Sequence, residues 1–349
     1  MFGTYKPTDV TVLLKDITGL VEPLGTKERE KLIQSGVHYS EMLPIEYVPS
    51  EAYMDMFFRA LKLYSELTAR AAAAVSEKIR REKGENIVLV SLARAGTPVG
   101  ILIKHYLERK YKTKVFHYTI SIIRGRGIDK NAVNYILERH SPESIQFVDG
   151  WTGKGAITRE LNKAMEDFPQ ISPGLAVLSD PAGIAEKAGT NDDFLIASSC
   201  LNSTVSGLLS RTFYRKDIIG EKEFHGAAFY SELADRDLTY TFIDSVEQFF
   251  AEEMSLPEDR PLLYDGMEEV KNICRDFGIK DINLVKPGIG EATRVLLRRM
   301  PRLILVHSLE DNEHLGHLYQ LAEEKGTEVT EYPLKNYRAC GIIEALADN

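Results

Sequence analysis

The chain has 349 residues, 44% of them hydrophobic and 27% charged, with a formal net charge of −9, so it reads as an ordinary soluble, globular protein of two or three domains without a generally nucleic-acid-coating surface. Cys200, Cys274 and Cys340 lie far apart with no C-x-x-C pair, which argues against a zinc site and against a disulfide framework. No apolar run reaches the ~18 residues of a spanning helix and no basic-then-apolar leader opens the sequence, so no membrane association and a cytoplasmic location are expected.

In chain order, Asp9–Leu14 is a short strand candidate, and Thr18–Pro49 is irregular, with the polar arm His38–Pro44 (HYSEMLP) expected to cap the domain. Met54, Phe57, Phe58, Leu61, Tyr64, Leu67 and Ala71 recur at three or four residues and predict a helix over Glu51–Lys83, stopped by Gly84. Strands then alternate with helices: strand Asn86–Leu92, helix Val99–Arg109, strand Lys114–Ser121, helix Asp129–Glu138 and strand Ser144–Val148. Gly174–Leu178 and Asp193–Ala197 are further strand candidates. Such alternation implies crossovers and a parallel sheet.

The stretch Ser144–Leu161 (SIQFVDGWTGKGAITREL) concentrates the chemistry: an apolar strand, the acid Asp149, a glycine-studded turn over Gly150–Gly155, and a helix from about Ala156. Backbone amides in such a turn and the positive end of the helix suit a phosphate. The P-loop pattern fails, because Val148 stands where the first glycine belongs and Gly155 follows Lys154; the dinucleotide pattern G-x-G-x-x-G is absent. The stretch resembles the PRPP-binding motif of type I phosphoribosyltransferases, except that Gly150 replaces the usual second acid and Trp151 is unusual there. LARAGTPVG and IIRGRGID stand where that family has its pyrophosphate loop and its mobile loop.

This resemblance implies an α/β, type I phosphoribosyltransferase-like parallel sheet with flanking helices and a set of roles. Asp149 would orient the ribose hydroxyls and support Mg²⁺ indirectly. Gly150, Trp151, Thr152, Gly153, Lys154 and Gly155 would hold the 5-phosphate. Arg94 with Ala95, Gly96 and Thr97 would take the pyrophosphate, and Arg124 and Arg126 would close over it. Such a site accelerates glycosyl transfer by neutralising the departing charge and excluding water. Ser198–Arg211 is the next polar concentration, with Ser199, Cys200, Asn202, Ser203 and Arg211 expected over the acceptor. Cys200 also invites a cysteine-nucleophile reading with His225 as its base.

Met254–Pro261 (MSLPEDRP) breaks the periodicity and is the expected boundary, dividing the chain into residues 1–255 and 262–349. Beyond it the pattern reads helix Leu263–Phe277, strand Ile282–Val285, turn Lys286–Gly290, helix Glu291–Arg299, strand Leu303–His307, helix Asn312–Lys325 and strand Glu328–Tyr332, a smaller α/β/α unit. KPGIGEATR, the following RLILVHSLEDN and the closing EVTEYPL resemble the L7Ae/PELOTA-type RNA-binding domain. That resemblance implies RNA contacts through Lys286, Gly288, Gly290, Glu291, Thr293 and Arg294.

Both halves together resemble the StiP-type, tellurite-resistance-associated phosphoribosyltransferases with a C-terminal PELOTA RNA-binding domain. The expected activity is PRPP-dependent phosphoribosyl transfer with Mg²⁺, acting on a small-molecule base or a phosphoribosyl nucleotide in a bacterial stress response. RNA is an expected partner of the second domain, and a homodimer is compatible with the sequence. Two other readings stand beside it: a non-catalytic nucleotide-sensing or RNA-binding regulator, and a cysteine protease using Cys200.

Overall fold

A computed structural model of the chain describes residues 2–258, 262 and 264–344. Two short strands, β1 (Thr11–Val12) and β2 (Lys15–Asp16), precede helices α1 (Thr26–Gln34) and α2 (Glu51–Lys83). The alternating region follows as β3 (Val88–Ala93), α3 (Gly96–Tyr111), β4 (Phe116–Ile123), β5 (Gly127–Ile128), α4 (Lys130–Leu137) and β6 (Ile145–Val148). It continues with α5 (Ala156–Met165), β7 (Leu175–Ser179) and β8 (Lys187–Thr190). After 3-10 turns at Ala197–Ser199 and Ser203–Val205 come β9 (Gly226–Ala227) and α6 (Thr239–Glu247).

The α/β architecture with a parallel sheet expected from the alternation is present. Seven strands form one sheet in the order β1-β4-β3-β6-β7-β8, every neighbouring pair parallel, with β5 added antiparallel to β4. The carboxyl ends of β3, β4, β6 and β7 share one edge, so their following loops build a common rim, the usual place for a site in such folds. Helix α3 begins at Gly96 rather than at the expected Val99. Pro98 falls in its first turn, where a missing N–H costs no helical bond. Gly96 brings the helix start against β6, since a Cβ there would lie 2.4 Å from the Val148 carbonyl oxygen.

The long α2 buries Phe57, Ala60, Leu61 and the run Ala71–Val75. Burying a side chain the size of Phe57 is worth about 2–3 kcal/mol. It ends at Gly84, whose φ of 68° few other residues adopt, with the Gly84 amide donating to Arg80 O at 3.0 Å. Strand β8 (KAGT) carries little apolar signal of its own; Gly189 lets it lie against α2, where a Cβ would meet Ala71 O at 2.2 Å. Asp193–Ala197, expected as a strand, runs instead as irregular chain into a 3-10 turn.

The second unit holds α7 (Gly266–Asp276), β10 (Val285–Pro287), α8 (Ile289–Arg298), β11 (Pro301–Val306), α9 (Asn312–Lys325), β12 (Val329–Glu331) and β13 (Ala339–Ile343). Its sheet runs β10-β13-β11-β12, with β13 antiparallel to both neighbours. The strand expected at Ile282–Val285 is displaced to β10 behind a 3-10 turn at Ile282–Leu284. Of the expected boundary, residues 259–261 lie outside the described residues, as does Leu263, the expected start of α7. That helix begins at Gly266, capped by Asp265 accepting the amides of Met267 and Glu268.

The two units share an apolar core. One cluster joins Phe57, Leu61 and Tyr64 of α2 to Ile289, Ala292, Val295 and Leu296 of α8. Tyr53 Oη donates to Leu297 O at 2.7 Å across the same seam. Among the described residues no helix is long and apolar enough to cross a membrane.

Candidate functional site

An open cleft of about 320 Å³ lies between the rim of the first unit and the second unit, with Arg124, Asp149, Trp151 and Lys154 on one side and Lys286 and Arg294 on the other. Asp149 sits just past β6, its amide donating to Ala176 O and its Oδ1 accepting the Gly150 amide at 2.8 Å. Burial raises its carboxyl to about 7, against the opposing pull of that amide and of Arg294. Among the described residues no group of three or more His, Cys, Asp or Glu gathers to hold a metal ion.

The side chains of Thr152 and Lys154 and the Thr152 amide, in the turn expected to cradle a phosphate, are bonded within the protein. Lys154 Nζ donates to Ile282 O at 2.6 Å and Val285 O at 2.9 Å, reaching the second unit instead of an open anion site. Its burial, with Lys286 nearby, lowers the ammonium to about 8. The Thr152 hydroxyl bonds Asp180, and the Thr152 amide donates to Ser179 O. Tyr337 Oη donates to Gly153 O at 2.8 Å, a third tie from the second unit. Gly155 supplies the φ of 69° at the start of α5.

The other two loops are also braced. Ala93–Arg94 is a cis peptide, and Arg94 Nη1 donates to Leu209 O at 3.0 Å. The Thr97 amide returns to Arg94 O and its hydroxyl pairs with Thr119 at 2.7 Å, so Thr97 faces the sheet and not a ligand. Ala95 lines the cleft. The expected mobile loop is tied down from two sides. Glu160 of α5 accepts the amides of Gly125 and Gly127, and the His38–Pro44 arm reaches over it through His38 Nε2 to Arg124 O and Tyr39 Oη at the Arg124 amide. Arg126 pairs with Glu41 of that arm and lies outside the cleft lining; Arg124 lines the cleft.

The Ser198–Arg211 segment threads the seam. Ser199 O accepts Arg294 Nε at 2.9 Å. The hydroxyls of Ser198, Ser199 and Thr204 are buried without a hydrogen-bond partner. Cys200, fully buried, follows the Ala197–Ser199 turn, its amide donating to Ala197 O at 3.0 Å. Ser203 gives its amide and hydroxyl to Glu46, and Asn202 and Arg211 line a neighbouring cleft. His225 is turned elsewhere. Its Nδ1 lies 2.9 Å from Ser121 Oγ, its ring packs on Tyr214 at 4.7 Å, and burial keeps it below its ordinary pKa.

The turn expected to contact RNA faces the first unit. Asp193 accepts the Ile289 amide, Gly288 packs beside Asp193, and Gly290 faces Ser199. Thr293 is buried, donating to Ile289 O at 2.8 Å and meeting His317 Nε2 at 3.0 Å. Glu291 pairs with Arg294 at 3.1 Å, and Arg294 lies 5.2 Å from the Trp151 ring. Lys286 and Arg294, the two basic residues among the expected contacts, both line a cleft. Sequence reasoning missed Asp193, Glu160 and Tyr337. Each is a single polar side chain in an otherwise ordinary stretch, and its partners are 33 to 184 residues away.

Residues 3–247 match a family model described as the tellurite-like stress resistance cysteine protease StiP, and residues 264–345 match the PELOTA RNA binding domain. A protein of Acinetobacter baylyi named cysteine protease StiP is 36% identical, with 99% of this chain and 94% of that one covered. Among solved structures, a Helicobacter pylori xanthine-guanine-hypoxanthine phosphoribosyltransferase is 17% identical, with 34% of this chain and 72% of that one covered and a TM-score of 0.23. A hypoxanthine phosphoribosyltransferase from Trypanosoma cruzi is 15% identical, with 57% and 94% covered and a TM-score of 0.26. Scores this low carry no argument. The name of the full-length relative and the family description overturn the expectation of a PRPP-dependent phosphoribosyltransferase. With it goes the base-transfer chemistry that depended on that expectation.

Proposed function

The chain belongs to the StiP family, and from that premise we propose that it is a cysteine protease whose nucleophile is Cys200. One observation carries the assignment: the matched region, residues 3–247, holds a single cysteine. The other two, Cys274 and Cys340, lie in the second unit, outside that region. The unpartnered hydroxyls of Ser198, Ser199 and Thr204 beside Cys200 suit a developing carbonyl oxyanion.

In the reaction the Cys200 sulfur bonds the peptide carbonyl carbon, the C–N bond breaks, and the amine leaves with the thiol proton. Water then cleaves the thioester and restores the thiol. Because Cys200 is fully buried, the seam between the units must open before substrate enters. The second unit is read as an RNA-binding module and the division as residues 1–255 and 262–349, in a cytoplasmic stress-response protein. The test is cleavage of an unstructured protein substrate by the purified chain. Cys200→Ala should abolish it, while Cys274→Ala and Cys340→Ala retain it. Cleavage that survives Cys200→Ala removes the assignment.

A further inference from the structure

A second cleft of about 320 Å³ adjoins the first, the two sharing Lys286, Glu291 and Arg294. Its lining includes Arg94, Asn202, Arg211, Lys286, Arg294 and Arg299, contributed by both units. Charge in it is poorly balanced. Glu291 is already paired with Arg294, and Glu46, on the arm behind, accepts from Ser203. Among the described residues no carboxylate pairs with Arg94, Arg211, Lys286 or Arg299. Arg94 spends one nitrogen on Leu209 O, and Arg211 rests over the Tyr39 ring at 5.6 Å. Arg211 is held down to about 10 by its burial and by the nearby Arg94 and Arg29, whose Nε is itself buried without a partner. Like charges gathered away from water are costly unless an anion joins them.

The cleft also borders the segment that carries Cys200. Ser199, one residue before it, holds Arg294, and Asn202, two residues after it, lines the wall. We propose that this interdomain cleft selects acidic polypeptide, seating Asp or Glu side chains of the substrate on Arg94, Arg211, Lys286 and Arg299 while the chain passes Cys200. The inference rests on the reading of Cys200 as a protease nucleophile, which makes a peptide the occupant. Guanidinium forks match carboxylates in pairs, and charge matched this way sets specificity and encounter rate.

The experiment uses the full chain. A Glu-rich labelled peptide, its Gln-for-Glu counterpart and a short single-stranded RNA are titrated into Cys200→Ser by fluorescence anisotropy. The two peptides are also compared as substrates of the wild type. The Glu peptide is expected to bind at least tenfold more tightly than the Gln peptide and to show the same ratio in kcat/KM. Arg211→Gln and the exposed Arg299→Gln should each weaken its binding at least threefold; Arg299→Gln serves if the more buried position fails to fold. Equal binding of the two peptides overturns the proposal, as does RNA binding that Arg299→Gln weakens while the Glu peptide stays unbound. Cleavage without charge preference would sink this inference and spare the protease reading. Charge-selective binding without any cleavage would do the reverse.

Discussion

The Asp193 carboxylate accepts the Ile289 amide at 2.9 Å and the Arg338 amide at 2.9 Å, so one side chain of the first unit caps α8 and braces the approach to β13. Asp193→Ala would leave these amides buried without an acceptor, at a cost of about 2–4 kcal/mol. The seam that covers Cys200 should then open more often. Alkylation of Cys200 by iodoacetamide, followed by peptide mass spectrometry, is expected to quicken at least tenfold over wild type. An unchanged rate would mean that the second unit is not what shields the thiol.

The same carboxylate predicts a pH dependence. Burial raises Asp193 to about 6 in the folded protein, the bonded amides opposing the shift. The unfolded chain releases this proton near ~3.9, so between these values the folded state binds more protons and stability falls as pH rises. Relative to Asp193→Asn, which cannot ionise, the wild type should lose roughly 2–3 kcal/mol between pH 4 and 7 and change little above that. Urea unfolding of both proteins across the window checks it; parallel curves would contradict it.

Gly96 sets how closely α3 meets β6. A methyl group there would stand 2.4 Å from Val148 O and 3.0 Å from Asp149 Cα, both backbone atoms with little room to yield. Gly96→Ala is expected to destabilise the protein by about 2–3 kcal/mol despite its better helix propensity. A stabilisation, read as a higher Tm, would show that the loop adjusts.

Lys154 joins the two units through Ile282 O and Val285 O. Lys154→Met keeps the stem but removes the ammonium donor from both carbonyls, of which Ile282 O retains the Val285 amide, and a loss of about 1–2 kcal/mol is expected in denaturant unfolding. An unchanged unfolding midpoint would remove this lysine from the account of the seam.

The first sheet was legible because its strands are continuous apolar runs closed by glycine or proline turns, as in NIVLVSL before Ala93 and IQFV before Asp149. Strand β13 was not, because ACGII is short, carries a glycine and acquires its identity only from β10 and β11 on either side. Asp193–Ala197 has the apolar content of a strand, yet Asp193 is drawn to amides of the other unit and the chain turns there. The partners of Lys154 were illegible for a related reason. A lysine among glycines after a strand has the chemistry of a phosphate ligand, and nothing local to Lys154 reveals that two carbonyls 128 and 131 residues further on will occupy it. Cys200 was visible as a residue type, whereas its full burial in the core shared by the two units is a purely tertiary fact.

Strand β13 lies inside its sheet although it follows every other strand of that sheet in the chain. Helix α8 rests on it, with Gly341 placed so that a Cβ would be 3.0 Å from Val295. During synthesis, then, the first unit can emerge and fold before the strand that completes the second has been made. For that interval the first unit lacks the Ile289, Ala292, Val295 and Leu296 side chains that later complete its apolar core.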